Sequence, residues 1–344
     1  MLSAALFALP ASAARVEDLY TATVELDSMA ANPQQDAFAR ALGEVLVKVT
    51  GLPEAGATEA RLGALSNATQ LVQQYRRLPE NRLQASFNAG ALRDALDEAG
   101  LPVWGNNRPL VAVWFALDAG DGNRMILSEA SGESEVGLDE GQIEALRELL
   151  VETAVARGLP MVLPLVDAED LGVVSFADLW GDFPGPVMLA SQRYGADAVL
   201  VGRARSTAAG INKVRWSLTM ANEQHGWEGS AASGPAQTAG LLAQRLATTA
   251  DSAGTLRVLV RDVDTLEKYG RLRQYFATLS IVERSAVAHV DGNELEFELV
   301  VRGDVQRLES ALSRSRLLQP ASIESDLMEL GRLPDLVYTW AEDS

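Results

Sequence analysis

The sequence predicts an α+β chain of three small mixed domains, and three observations carry that prediction. At ~100–200 residues per domain, 344 residues suit two or three domains, and a 47% hydrophobic content is enough to give each a core. Helix-period and strand-period apolar patterns alternate along the whole chain, which is the mark of mixed domains. Gly and Pro punctuate the joints near 102–105 and 252–254, which divides the chain into 15–105, 106–252 and 253–344.

In the first segment, residues 19–26 alternate as a strand. Pro33 opens a helix with an apolar face of Ala37, Phe38, Leu42, Val45, Leu46 and Val49, and Gly51 stops it. A helix-rich stretch is expected to residue 77. Residues 82–87 read as a strand, and Asn88 caps a helix that runs to Glu98 and closes at Gly100.

In the second segment, residues 110–117 are almost wholly apolar, as a strand buried on both faces requires. Leu138, Asp139 and Gln142 form a capping and staple pattern. The helix that follows has the stripe Ile143, Leu146, Leu150 and Ala154. A strand at 161–166, a helix at 186–194 and a strand at 196–205 come next. A hairpin at 213–221 and 226–230 and a helix from Pro235 to about 250 complete βαβαβββα.

The third segment predicts a strand at 256–260 and a capping box over Asp264–Glu267 before a helix to Thr278. Strands at 281–290 and 294–301 flank an Asp291-Gly292-Asn293 turn. A helix capped by Asp304 runs to Ser313, and a weaker strand at 317–322 would complete βαββαβ, the ferredoxin-like order.

Residues 1–14 read as an export signal. A short apolar stretch meets Pro10 and the small-x-small step Ala11-Ser12-Ala13, so cleavage is expected after Ala13 or Ala14. The basic n-region is missing, since no Lys or Arg precedes Arg15. The expected location is periplasmic.

Composition excludes several classes. A net charge of −18 repels phosphate backbones, so no nucleic-acid partner is expected. With no Cys, neither thiol chemistry, disulfides nor a lipoprotein anchor is expected. No apolar run reaches the ~18–20 residues that a membrane helix needs.

No nucleophile elbow, Walker loop, dinucleotide fingerprint or zinc-protease helix is present. His225 is expected in an exposed hairpin turn and His289 as a half-buried strand residue, neither catalytic. Asp118, Asp121 and Asn123 resemble a calcium loop only loosely and read better as a turn. Asp167, Glu169, Asp170, Asp178 and Asp182 form an acidic loop. They are either solvated charges or an acid–base pair for glycoside hydrolysis. No catalytic residue, metal ligand or cofactor is therefore assigned, and the binding residues are unknown. Charge is uneven: Asp118 to Asp182 is strongly acidic, whereas Ser191 to Trp216 carries Arg193, Arg203, Arg205, Lys213 and Arg215 against one Asp. Such a contrast suits a protein–protein surface or a solvated one. Trp104, Trp114, Trp180, Trp216 and Trp227 cluster in sequence, as core cement or as a ligand face.

The segment 101–118, LPVWGNNRPLVAVWFALD, resembles the signature of a Gram-negative family known only as domain of unknown function 2066. The matching positions are Leu101, Pro102, Trp104, Gly105, Arg108, Pro109 and Trp114, with Tyr20 and Phe87 fitting the same pattern. That family implies no catalytic residues. These positions are expected to form a structural joint, with Trp104 filling a gap between two cores. Arg108 is expected to pair with carboxylates or stack on an indole. At the level of fold, residues 110–250 are similar to the N-terminal domain of the Tol-system protein TolB and to related envelope assembly modules. The resemblance implies βαβαβββα and a protein partner. The expected function is a non-catalytic periplasmic binding or assembly protein of the cell envelope. The alternatives are a glycan-directed hydrolase and a small-molecule-binding protein.

Overall fold

The computed structural model describes residues 14–57, 63–120, 122–130, 140–206, 210–211, 213–220, 223–247, 249, 253–279, 281–302, 305–313, 315, 317–321 and 334–341. Residues 1–13 of the expected signal segment and the helix caps at Asp139 and Asp304 lie outside them. The architecture is mixed α/β with several sheets. The chain forms two compact units. One takes the described residues of 1–61, 68–87 and 108–245, and the other those of 62–67, 88–107 and 246–344.

The first unit begins with β1 (Ala14–Arg15) and β2 (Thr21–Glu25), then α1 (Pro33–Thr50). All six residues read as the apolar face of α1 are buried, and the Phe, Leu and Val side chains each contribute ~1.5–3 kcal/mol. The helix ends where Gly51 turns left-handed at φ 73° and returns its N–H to Val47. The stretch expected to be helix-rich to residue 77 holds 3-10 turns at Pro53–Gly56 and Gly63–Ser66 and the single turn α2 (Ala68–Leu71), but its end is the strand β3 (Val72–Leu78). β3 is an almost fully exposed edge strand, VQQYRRL, so no buried face imprinted an apolar alternation on it. β4 (Arg82–Phe87) pairs with both β2 and β3 to give an antiparallel sheet in the order β2-β4-β3.

α3 (Ala89–Glu98) belongs to the second unit. The Asn88 side chain accepts the Ala91 N–H at its start. At its end the Leu101 N–H reaches the Leu96 carbonyl, with Gly100 at φ 64°. β5 (Asn107–Arg108) is a two-residue strand.

β6 (Val111–Gly120) is the spine of the large sheet and is buried on both faces from Val111 to Leu117. β7 (Asn123–Ile126) folds back on it where only a loop was expected. α4 (Glu140–Ala156) buries Ile143, Leu146, Leu150 and Ala154, the predicted stripe. The strand expected at 161–166 shrinks to β8 (Met161–Val162). The acidic segment 167–182 is not a loop: it forms α5 (Ala168–Leu171) and α6 (Phe176–Gly181). α7 (Pro184–Ser191), β9 (Ala198–Arg205), β10 (Val214–Met220), β11 (Glu223–Gly229) and α8 (Ser233–Leu246) follow.

The sheet runs β11-β10-β9-β6-β7, with β8 alongside β6. β6 and β9 are parallel, and β9, β10 and β11 form an antiparallel meander. One face carries Ala112, Trp114, Ala116, Val199 and Val201 and is covered by Leu179 of α6 and Val187 and Ala190 of α7. The other carries the row Phe115, Gly202, Trp216 and Trp227. Phe115 and Trp216 meet edge to face at 5.5 Å, and Trp216 rests on Gly234 of α8.

The rest of the second unit contains β12 (Ala253–Arg261), α9 (Leu266–Thr278), β13 (Val282–Asp291), β14 (Glu294–Arg302), α10 (Val305–Leu312), β15 (Leu318–Pro320) and β16 (Leu336–Trp340). The predicted hairpin pairs antiparallel across Gly292-Asn293. The cap of α9 sits one residue later than expected: Thr265 accepts the Lys268 N–H, while Asp264 pairs with the Lys268 ammonium at 2.7 Å. The sheet order is β13-β14-β12-β16-β15. The weak strand expected at 317–322 forms as β15, but it does not lie beside β12. That place goes to β16, parallel to β12 and beyond the last strand expected. The core packs Phe276, Leu272, Phe297, Leu308, Leu312, Tyr338 and Trp340 together.

Candidate cationic and aromatic site on the large sheet

In α/β sheets, functional groups collect beyond the carboxyl ends of parallel strands. Here that place is the end of the β6 and β9 pair. Alternation along the strands puts Asp118 of β6, Arg124 of β7, Arg203 and Arg205 of β9, and Arg215 of β10 on the face that α6 and α7 cover. The helices cover the apolar part and leave this charged end open.

Two rings organise it. Phe176 and Trp180, one turn apart on α6, stack at 5.4 Å with a 19° interplanar angle. The Arg205 and Arg215 guanidinium groups lie 5.9 and 5.7 Å from the Trp180 ring centroid, and that of Arg124 lies 5.4 Å from Phe176. All three arginines are exposed and both rings half-buried. Arg124 approaches Asp118 only to 3.9 Å. Arg215 sits opposite Glu228, whose carboxyl is held below its ordinary range chiefly by Lys213. Arg205 has no ion-pair partner among the described residues.

Arg203, by contrast, is buried and anchored. Its guanidinium meets Asp182 at 3.1 Å and donates to the Ser217 hydroxyl at 3.0 Å; that hydroxyl donates to Asp182 at 2.8 Å. Asp182 closes α6 in the left-handed region at φ 60°. A small pocket with room for about one water lies alongside, lined by Asp178, Asp182, Val187, Val199, Ser217 and Thr219 among others.

The other acids are engaged by the fold. Arg193 Nη1 donates to Asp167 at 2.8 Å and to Asp170 at 3.0 Å. Asp170 is buried and also accepts the Tyr194 hydroxyl at 2.6 Å and the Val166 N–H at 2.8 Å. That last bond helps hold Val166 at φ 55°, a costly conformation for a β-branched residue. The Arg193 hydrogen bonds pull Asp167 down to about 2, and burial followed by the Asp170 contact pushes Tyr194 up to about 12. Asp178 forms a capping box with Ser175, which lowers its carboxyl too. Asp167 and Asp170 thus do converge, but on a cation, and Asp167 is held ionised rather than as a proton donor. Glu169 faces Arg193 at 3.5 Å.

The remaining predicted positions fall elsewhere. Arg108 is fully buried in the first unit, and its guanidinium meets backbone carbonyls. It donates to Gly158 at 2.6 Å, Arg157 at 3.3 Å and Lys48 at 2.8 Å, the carboxyl ends of α4 and α1. Pro109, half-buried, leads into β6. The Trp114 indole is fully buried and donates to Ser191 at 2.9 Å. Pro102, Trp104 and Gly105 lie in the second unit, with Trp104 fully buried. Trp216 is core, and Trp227 is half-buried. Phe87 is buried, and its N–H reaches the Tyr20 carbonyl. His225 lies within β11 opposite Leu218, not in a turn, and His289 is exposed on β13. Asp118 accepts the Gly120 N–H, as a turn requires; Asp121 is outside the described residues. Among the described residues, no group of three or more His, Asp or Glu is arranged to hold a metal. No described helix is long and apolar enough to cross a membrane.

Residues 13–105 match the model of a domain of unknown function (DUF8605). The matched span includes Pro102, Trp104 and Gly105 and stops short of Arg108, Pro109 and Trp114. No curated protein matches the chain.

The site itself was only half visible in sequence. The basic bias from Ser191 to Trp216 pointed to Arg205 and Arg215. Nothing near Arg124 or Phe176 did, because strand pairing and helix packing bring them there.

Proposed function

We propose that the protein is a non-catalytic binding or assembly protein of the Gram-negative cell envelope, exported to the periplasm after cleavage near Ala13. The observation that carries this reading is the open face of Arg124, Arg205, Arg215, Phe176 and Trp180 on a chain of net charge −18. Trp and Arg together are the residue types that dominate protein–protein hot spots. The engagement of Asp167, Asp170, Asp178 and Asp182 in ion pairs and caps supports binding over hydrolysis.

The reading includes three modules, 15–105, 106–252 and 253–344. A TolB-N-terminal-like fold for the middle one is supported by the parallel β6 and β9 with the meander after them. A ferredoxin-like relationship for the last is supported by the order β13-β14-β12. Likeness to domain of unknown function 2066 rests on Pro102, Trp104, Gly105, Arg108, Pro109 and Trp114.

The test is crosslinking in the intact native host followed by capture of the full chain. A specific envelope protein should co-purify, and mass spectrometry should find Ala14 or Arg15 at the mature N-terminus. A retained Met1 would remove the periplasmic location. Hydrolysis of a glycan by the pure protein would remove the non-catalytic assignment.

A further inference from the structure

The binding-protein reading leaves the chemistry of the partner open, and the cationic face narrows it. We infer that Arg124, Arg205 and Arg215, braced by Phe176 and Trp180, form the docking site for an extended acidic segment of a partner protein, with carboxylates at alternate positions.

The bracing comes first. A guanidinium lying over a ring is held flat, and its edge N–H groups remain free to fork onto a carboxylate. The stack of Phe176 on Trp180 fixes the rings in turn. The arginines are therefore ordered before a ligand arrives, which lowers the entropy cost of binding.

Spacing comes second. Arg205 and Arg215 are diagonal neighbours on adjacent strands, so their Cβ atoms are ~7–8 Å apart. Arg124 and Arg205 flank Asp118 across two strand spacings, ~9–10 Å. Side chains on one side of an extended peptide recur every ~7 Å, within reach of both intervals.

Charge and shape come third. Asp182 and Glu228 border the patch and Asp118 sits between Arg124 and Arg205, so the positive area is small, and the chain as a whole is at −18. A broad anionic surface such as a lipid bilayer would meet that field everywhere else. A short segment stays within the ~8 Å over which the local charges dominate. The pocket lined by Asp178, Asp182 and Ser217 is too small to enclose a small ligand, which favours a chain laid across the surface.

The probe is a fluorescein-labelled peptide of alternating glutamate and threonine, with lysine replacing glutamate in the control and phosphatidylglycerol vesicles as a second anion source. Anisotropy with the full chain should show binding of the glutamate peptide that weakens with salt, and no binding of the lysine peptide or the vesicles. Arg205→Ser with Arg215→Ser should weaken it by about tenfold or more, as expected for two charge-assisted contacts. Arg76→Ser, an exposed arginine on β3, should change nothing. Unaltered melting of the double variant separates lost contacts from lost fold. Binding by the double variant equal to wild type would overturn the site, and vesicle binding without peptide binding would overturn the partner class. If the peptide fails but wild type and double variant capture the same crosslinked partner, this face is wrong and the binding-protein reading stands. If neither the peptide nor any partner is held, both fall.

Discussion

The Arg108 guanidinium occupies the place where a side chain on residue 158 would begin. A Cβ built on Gly158 would stand 2.6 Å from Arg108 Nη1, and Gly158 itself is at φ 60°. The glycine is thus required twice, by its backbone conformation and by the cation that its own carbonyl receives. Burial pushes the Arg108 guanidinium below its ordinary pKa, so its three carbonyl contacts offset a real desolvation cost. Gly158→Ala should destabilise the chain by roughly 2–4 kcal/mol in denaturant titration. Arg108→Lys should cost about as much, because an ammonium cannot fork to the ends of two helices.

Trp104→Ala should remove ~3–5 kcal/mol, the loss expected for a fully buried ring. The loss belongs to the unit built from 62–67, 88–107 and 246–344. Hydrogen exchange should therefore accelerate in β12 and β14 and stay unchanged in β6 and β9. Equal acceleration in both would show that the indole supports the whole chain.

Arg193 makes Asp167 a source of acid sensitivity. The folded carboxyl is lowered from 3.8 to about 2, so the stabilisation is complete above the unfolded value. It is lost as pH falls from about 4 through 2. Asp167→Asn should flatten that part of the melting-temperature profile and leave the neutral range shifted by a constant amount. An unchanged acid limb would mean that the ion pair does not form in solution.

Gly202→Ala tests the aromatic row. A Cβ there would meet the Phe115 ring at 2.6 Å and the Trp216 ring at 2.6 Å. Both rings are fully buried, so neither has an open side to move into. A loss of about 2–3 kcal/mol is expected by thermal melting, with a reduced near-ultraviolet dichroism from Trp216.

What was legible in sequence tracks how strongly burial imprints a pattern. α1 could be read residue by residue because its buried stripe repeats over eighteen residues between Pro33 and Gly51. β6 was equally plain, since burial on both faces leaves an unbroken apolar run. β3 and β7 left no such imprint: their residues are mostly exposed or half-buried, and the pairing that makes them strands is made by the backbone. α5 and α6 are four and six residues long, too short for a 3.6-residue period. Asp167 and Ser175 cap them, but the many acids there suggested a solvated or catalytic loop. The cationic face combines residues from β7, α6, β9 and β10, and only strand register and helix packing join them.

The parallel pairing of β16 with β12 sets an order of assembly. The Arg257 N–H is bound to Asp335, seventy-eight positions later, and the β16 strand follows directly. A chain emerging from the ribosome has every residue of the first unit in hand by Arg245. The second unit must wait for Trp340, and until then one long side of β12 lacks its neighbour. Loop closure over that span is slow, and the waiting strand can accept a wrong edge. A cell making this protein therefore meets a half-finished sheet on every copy, and the last element delivered is the one that ends its exposure.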